Sequence, residues 1–296
     1  MQIRRNGSQA PNGTEAGRMS KVWFVTGAGS GIGAGIAKAA LRAGERVVVT
    51  GRDLGKVRAA YNDVATENIA VVKLDVTNEA QVGQAVATAV RQFGRIDVLV
   101  NNAGYSILGN FEATTTAELE RQFATNFYGV ANVMRAVLPV MRRQRSGHIV
   151  NISSVAGVVG LKHCSAYGAS KFAVEGLSLA VAEEVGQFGI RVTVVEPGFF
   201  RTALLDSRHV QWAKSSVEDY AAEADPEKMW SPYHGTQPGD PDKLGEALVK
   251  IAAMELPPQI FVAGSDALAA ITPAVQARID AMRAHETLST STDGAH

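Results

Sequence analysis

From residue 21 to residue 264, short apolar runs alternate with longer amphipathic stretches. The runs KVWFVT from 21, RVVVT from 46, IAVVKL from 69, IDVLVN from 96, HIVNIS from 148, IRVTVVEP from 190 and QIFVAG from 259 are rich in Val and Ile. Apolarity of this near-continuous kind predicts strands of a parallel sheet covered on both faces. Between them, IGAGIAKAALRAG, EAQVGQAVATAVRQFG and FAVEGLSLAVAEEVGQFG repeat their apolar residues at intervals of three and four and end in Gly, as helices do. Six β-α units follow one another without a linker-like break. Right-handed crossovers wind such units into a single α/β domain, a doubly wound parallel sheet of about seven strands flanked by helices. Its ligands are expected at the carboxyl ends of the strands.

The two ends carry no such period. MQIRRNGSQAPNGTEAGRMS is polar and lacks the apolar middle of a secretory signal, and HETLSTSTDGAH has the same character. Disordered tails are therefore expected at 1–19 and 287–296, around a domain at 20–286. Lys plus Arg and Asp plus Glu are 29 each, so there is no basic surplus to favour nucleic acid or a membrane surface. Cys164 is the only cysteine, which excludes an internal disulfide and any multi-cysteine metal site; no metal is expected. No run of eighteen apolar residues occurs, and the expected compartment is the cytoplasm.

The first strand runs into TGAGSGIG, with Thr26, Gly27, Gly29, Gly31 and Gly33, and then into an alanine-rich helix. In that context backbone N–H groups at the helix start can hold a pyrophosphate, and side chains would block its approach; by itself a glycine cluster is only a turn. The second strand ends VVVTGRD, placing Arg52 where an NAD enzyme of this fold carries an acid. A guanidinium there pairs with a 2′-phosphate, so NADP(H) is the expected cofactor. Asp53 either meets the ribose or N-caps the next helix, LGKVRAAYNDV; capping is the preferred reading.

Tyr167 and Lys171 in SAYGASK stand four residues apart, on one face of a helix and about 6 Å apart along its axis. A cation beside a phenol favours the phenolate, which would make the two a general acid/base for a carbonyl or alcohol. The same spacing also describes an ordinary surface pair with a packed ring.

Taken together, these motifs resemble those of the short-chain dehydrogenase/reductase family. T-G-x-x-x-G-x-G runs from Thr26 to Gly33, N-N-A-G from Asn101 to Gly104 and Y-x-x-x-K from Tyr167 to Lys171, all intact and in family order. The resemblance spans nearly all of the chain between the tails and implies a Rossmann-type fold. It further implies that Tyr167 transfers a proton while Lys171 lowers its pKa and bonds the nicotinamide ribose. Ser154, thirteen residues before the tyrosine, would orient the carbonyl, with Ser153 its neighbouring competitor. Asn126 would hold a water in the proton relay, unless it is merely a satisfied polar residue in a helix. Gly27, Ser30, Gly31, Ile32 and Gly33 would cradle the dinucleotide. Asp75 and Val76 would meet adenine, Asn102, Ala103 and Gly104 the adenosine ribose, and Pro197, Gly198, Phe200 and Thr202 the nicotinamide carboxamide. The implied activity is that of a carbonyl reductase or alcohol dehydrogenase, moving hydride between NADP(H) and a small ketone or secondary alcohol. A catalytically silent NADP-binding sensor is the alternative.

Residues 199–240 read as a helical lid with Phe199, Phe200, Trp212, Tyr220, Trp230, Tyr233 and three prolines. Its aromatic residues suggest an apolar or aromatic ketone, or else pack the lid onto the body. Tyr105, Ser106, His163 and Cys164 are further pocket candidates. The C-terminal QIFVAGSDALAAI leads into a helix-like stretch instead of the family's Asp-Gly-Gly turn. That leaves homodimer and homotetramer both open, with the helices around 115–143 and 166–187 as the expected interface.

Overall fold

Seven strands lie parallel in the order β3–β2–β1–β4–β6–β7–β9 in the computed structural model, which describes residues 20–202, 210–213, 217–220, 226–233 and 235–294. They are β1 (Val22–Val25), β2 (Arg46–Gly51), β3 (Ile69–Lys73), β4 (Val98–Asn101), β6 (Gly147–Ile152), β7 (Ile190–Pro197) and β9 (Ile260–Ala263). The strand order reverses between β1 and β4, which opens a crevice at their carboxyl ends. The expected tail at 1–19, residues 295–296, and the lid residues 203–209, 214–216, 221–225 and 234 lie outside the described residues.

The apolar runs look continuous because both faces are covered. Along β1, Val22 and Phe24 enter one core while Trp23 and Val25 enter the other; β2 and β4 divide their valines and leucines in the same way. One core is closed by α3 (Glu79–Phe93), α5 (Gly129–Gln144) and α6 (Ser165–Val185), the other by α1 (Gly31–Arg42), α2 (Leu54–Ala59) and α8 (Pro241–Ala253). Helices α1 and α8 touch backbone to backbone. A Cβ on Gly35 would stand 2.4 Å from the Pro241 carbonyl oxygen, and one on Gly245 2.5 Å from that of Gly35.

Two local departures from the expected boundaries have physical causes. Helix α2 stops at Ala59, short of the expected 64, because Tyr61 turns inward and its hydroxyl donates to the Ala28 carbonyl at 2.7 Å. Strand β4 starts at Val98, since the Asp97 carboxylate is taken up by Val22 N–H at 2.9 Å and by the Arg95 guanidinium. At the other end, the stretch expected as a tail from 287 forms part of an exposed helix, α10 (Glu286–Thr290), after α9 (Ser265–Ala284).

Two smaller features shape the crevice. Strand β5 (Ile107–Leu108) pairs in parallel with β8 (Gln211–Trp212), tying the lid to the segment after N-N-A-G. Between α4 (Thr116–Phe123) and α5 the helix widens into one π turn, Ala124–Tyr128, which turns Asn126 inward.

Candidate active site

A cleft of 1070 Å³ lies above the carboxyl ends of β1, β4, β6 and β7. That is at the upper end of ordinary ligand pockets, about 300–1,000 Å³. Its floor on the β1 side is the glycine turn, lined by Gly27, Ser30, Gly31 and Ile32. Gly27 and Gly31 adopt φ of 64° and 57°, which side chains beyond glycine rarely tolerate. Ser30 N-caps α1 without a side-chain bond, so the first-turn N–H groups are left to an outside acceptor. A pyrophosphate fits there on geometry and on helix dipole.

The turn is locked to the N-N-A-G segment by five hydrogen bonds. Thr26 Oγ1 accepts from Asn102 N at 2.9 Å and Ala103 N at 3.1 Å and donates to the Val100 carbonyl at 3.3 Å, while Asn102 Nδ2 donates to the carbonyls of Thr26 (3.0 Å) and Gly27 (3.1 Å). A Cβ on Gly33 would sit 2.4 Å from Asn102 Nδ2, so this glycine permits the close approach. Asn102, Ala103 and Gly104 line the cleft, with the Asn102 side chain spent on bracing.

Arg52 is exposed on the cleft wall beyond β2, and Asp53 caps α2 by accepting from Gly55 N at 2.8 Å and Lys56 N at 3.1 Å. Asp75 also lines the cleft, its carboxylate held by Thr77 N and by the Thr77 hydroxyl at 2.7 Å. Val76 does not line it. The chain turns after Asp75, closed by Asn78 N donating to the Asp75 carbonyl at 3.0 Å, so the Val76 side chain enters the core against Gly129 and Thr77 lines the cleft in its place.

On the opposite wall Tyr167 and Lys171 share the inner face of α6, with the Lys171 ammonium 5.7 Å from the centre of the Tyr167 ring. Ser154 and Tyr167 stand together in the cleft wall, the serine hydroxyl on the phenol's side. Ser153 also borders the cleft, but its side chain turns inward. It is buried, with its hydroxyl against Glu175, as strand alternation requires.

The electrostatics differ from expectation. Burial pushes the Tyr167 phenol up to about 12, eased by the neighbouring Ser154 hydroxyl. The ammonium instead donates to the Ile152 carbonyl at 2.8 Å, and burial draws Lys171 down to about 8 against the support of Glu175. Desolvation outweighs the cation because the phenol is enclosed, so the Tyr167 hydroxyl carries its proton at neutral pH. Asn126 likewise differs. Its amide accepts from Tyr105 N at 3.2 Å and donates to Tyr105 O at 3.0 Å and Ser170 Oγ at 3.1 Å, so the side chain braces the wall and does not line the cleft.

Pro197, Gly198, Phe199, Phe200 and Thr202 close the far end. Asp266, at the start of α9, holds this turn by accepting from Phe199 N at 2.7 Å and is itself part of the wall. Nothing local in the sequence ties residue 266 to residue 199; only the β7–β9 pairing does. Arg121 and Gln237 are two more wall residues not anticipated from sequence. Phe199, Trp230 and Tyr233 form an aromatic cluster, Phe199 and Tyr233 stacked with centroids 5.2 Å apart. Tyr105, Ser106 and Cys164 line the cleft, whereas His163 is buried outside the lining with φ of 61°. Among the described residues no group of three His, Cys, Asp or Glu could hold a metal, and no helix is long and apolar enough to cross a membrane.

A parallel sheet with a glycine turn at its switch point and a phenol beside a serine on the facing wall is the framework of a dinucleotide-dependent oxidoreductase. The chain belongs to the short chain dehydrogenase family, whose model matches residues 21–211. It is 40% identical to a 3-ketodihydrosphingosine reductase of Bacteroides thetaiotaomicron over 80% of this chain and 86% of that protein. A short-chain dehydrogenase from Streptomyces avermitilis superposes with a TM-score of 0.83 at 37% identity, covering 94% of this chain and all (100%) of the other. A structure of ElxO with NADP bound matches at TM-score 0.70 and 29% identity, over 85% of this chain and 100% of that one.

Proposed function

We propose that the protein is an NADP(H)-dependent carbonyl reductase or alcohol dehydrogenase that interconverts a ketone and a secondary alcohol. The observation that carries this reading is that Tyr167 and Ser154 stand together at the wall of a cleft whose opposite end is a glycine turn. The bound dinucleotide supplies or accepts the hydride.

The remaining work falls to the chain. Tyr167 holds a proton at neutral pH and donates it to the oxygen of a carbonyl becoming an alkoxide; in oxidation the same oxygen takes the proton back. Ser154 donates a hydrogen bond to that oxygen and so favours the developing negative charge. Lys171 has N–H donors beyond the one spent on Ile152, with which to hold the nicotinamide ribose. Asn126 keeps the wall beside Lys171 in register, and a proton relay past it to solvent is part of the same reading.

Arg52 supports NADP(H) over NAD(H), since no carboxylate stands at the end of β2 to repel a 2′-phosphate. The choice rests on Arg52, since structural relatives have been found with NADP and with NADH alike. The Phe199, Trp230 and Tyr233 cluster favours a ketone with an apolar or aromatic body, in keeping with the keto-lipid named for the Bacteroides relative. Exposed Tyr128 and Phe172, at 57% and 46%, favour self-association through α5 and α6 as a homodimer or homotetramer. A cytoplasmic location completes the reading.

The test is incubation with NADPH and a panel of ketones, and with NADP⁺ and the matching alcohols, following nicotinamide absorbance. Turnover of an apolar ketone with NADPH is the expected result. Tight NADPH binding with no turnover on any member would favour a sensor instead.

A further inference from the structure

The inner face of α6 does not end with the tyrosine and lysine. One turn beyond Lys171 the same face carries Glu175, and the three side chains follow at intervals of four residues. The Glu175 carboxyl lies behind the lysine, away from the cleft, and is not part of the cleft wall.

Its surroundings are specific. Ser153 Oγ and Glu175 Oε1 are both buried and share the space over Gly157, where an added Cβ would lie 2.5 Å from the serine oxygen and 3.2 Å from the carboxylate oxygen. From β7 the buried Glu196 faces the same point and opposes a second negative charge there. Lys171 faces it from α6 and Ser153 from the end of β6; both favour the ionised carboxylate. Burial raises Glu175 to about 7, while Glu175 is what holds Lys171 up against burial. An acid half-buried here, with one carboxylate oxygen enclosed and without a hydrogen-bond partner, costs stability unless the charge it faces needs it.

We propose that Glu175 is a positioning residue of the proposed reaction, a half-buried counter-charge that keeps the Lys171 amine in its ammonium form behind the proton-donating tyrosine. This rests on the reading of Lys171 given above. The sign follows from the geometry. With Glu175 ionised the ammonium is favoured; with a neutral amide in its place, burial acts on Lys171 unopposed and the amine loses its proton at lower pH.

The test compares kcat/KM against pH for the wild type, Glu175→Gln, Glu175→Asp and Lys171→Met, with thermal melting of each. In Glu175→Gln the alkaline limb should move to lower pH by about one unit, a roughly tenfold loss at the alkaline edge with little change on the acid side. Glu175→Asp should return the limb most of the way to wild type. A limb unmoved in Glu175→Gln, or moved equally in Glu175→Asp, overturns the proposal, as does a lower melting temperature with an unchanged pH profile. Lys171→Met separates the two levels of the argument. If it keeps normal turnover, the role given to Lys171 is wrong; if it loses turnover while Glu175→Gln keeps the wild-type limb, only the role of Glu175 is wrong.

Discussion

The two ends of the cleft are built on opposite principles. At the β1 and β4 end, backbone is held to backbone by short side chains: Thr26 and Asn102 make five cross-turn hydrogen bonds, and Gly33 leaves no room between the segments. At the lid end, large rings lean on one another beside polar ties such as Asp266 to Phe199 and Arg201 to Asp240 at 2.9 Å. A ligand common to many enzymes suits the first design, because a rigid cradle holds one fixed shape. An apolar substrate suits the second, since ring packing adapts to the guest and contributes mostly by excluding water.

That contrast can be broken from the rigid end first. Gly33→Ala forces its new methyl against Asn102 and the Gly27 carbonyl, neither of which can yield without parting the two turns. Overpacking of this kind costs about 1–3 kcal/mol. NADPH affinity should fall at least tenfold and the melting temperature should drop, as read by nicotinamide fluorescence titration and thermal melting.

Arg52→Asp comes next and sharpens the comparison, because it changes charge at the rim without touching the cradle. Losing a charge-assisted bond worth about 1.5–3 kcal/mol should weaken NADPH by roughly 10- to 100-fold while NADH affinity changes little. Equal losses for both cofactors would remove the 2′-phosphate role.

The smallest effect is expected at the adaptable end. Trp230→Ala removes two ring contacts, each worth about 0.5–1.5 kcal/mol. KM for an apolar ketone should rise roughly tenfold, with NADPH affinity unchanged; a matching loss of NADPH affinity would mean that the lid also holds the cofactor.

The same contrast explains what could be read from the chain alone. The sheet was legible because strands covered on both faces leave unbroken apolar runs, and each crossover helix keeps its own period. Thr26 through Gly33 and Tyr167 with Lys171 were legible because each is a local group on one turn or helix. The failures occur where long-range contacts decide. Val76 lies in the core because its side chain packs against Gly129 of α5, and the Asn126 amide is claimed by Tyr105 and Ser170, one from another loop and one from another helix. Asp266 and Gln237 reach the wall through pairings far along the chain. The ammonium of Lys171 was expected to govern the phenol by proximity, yet its bond to Ile152 and the enclosure of Tyr167 leave desolvation in charge.

The central claim is that the Tyr167 hydroxyl is the proton source for a carbonyl in this cleft. Its most direct test is Tyr167→Phe, measured for turnover of a ketone that the wild type reduces and, on the same preparation, for NADPH binding by fluorescence. The account predicts that turnover falls by roughly 10²- to 10⁴-fold, the contribution of a placed general acid, while NADPH affinity stays within about twofold of wild type. Turnover close to wild type in Tyr167→Phe would contradict it.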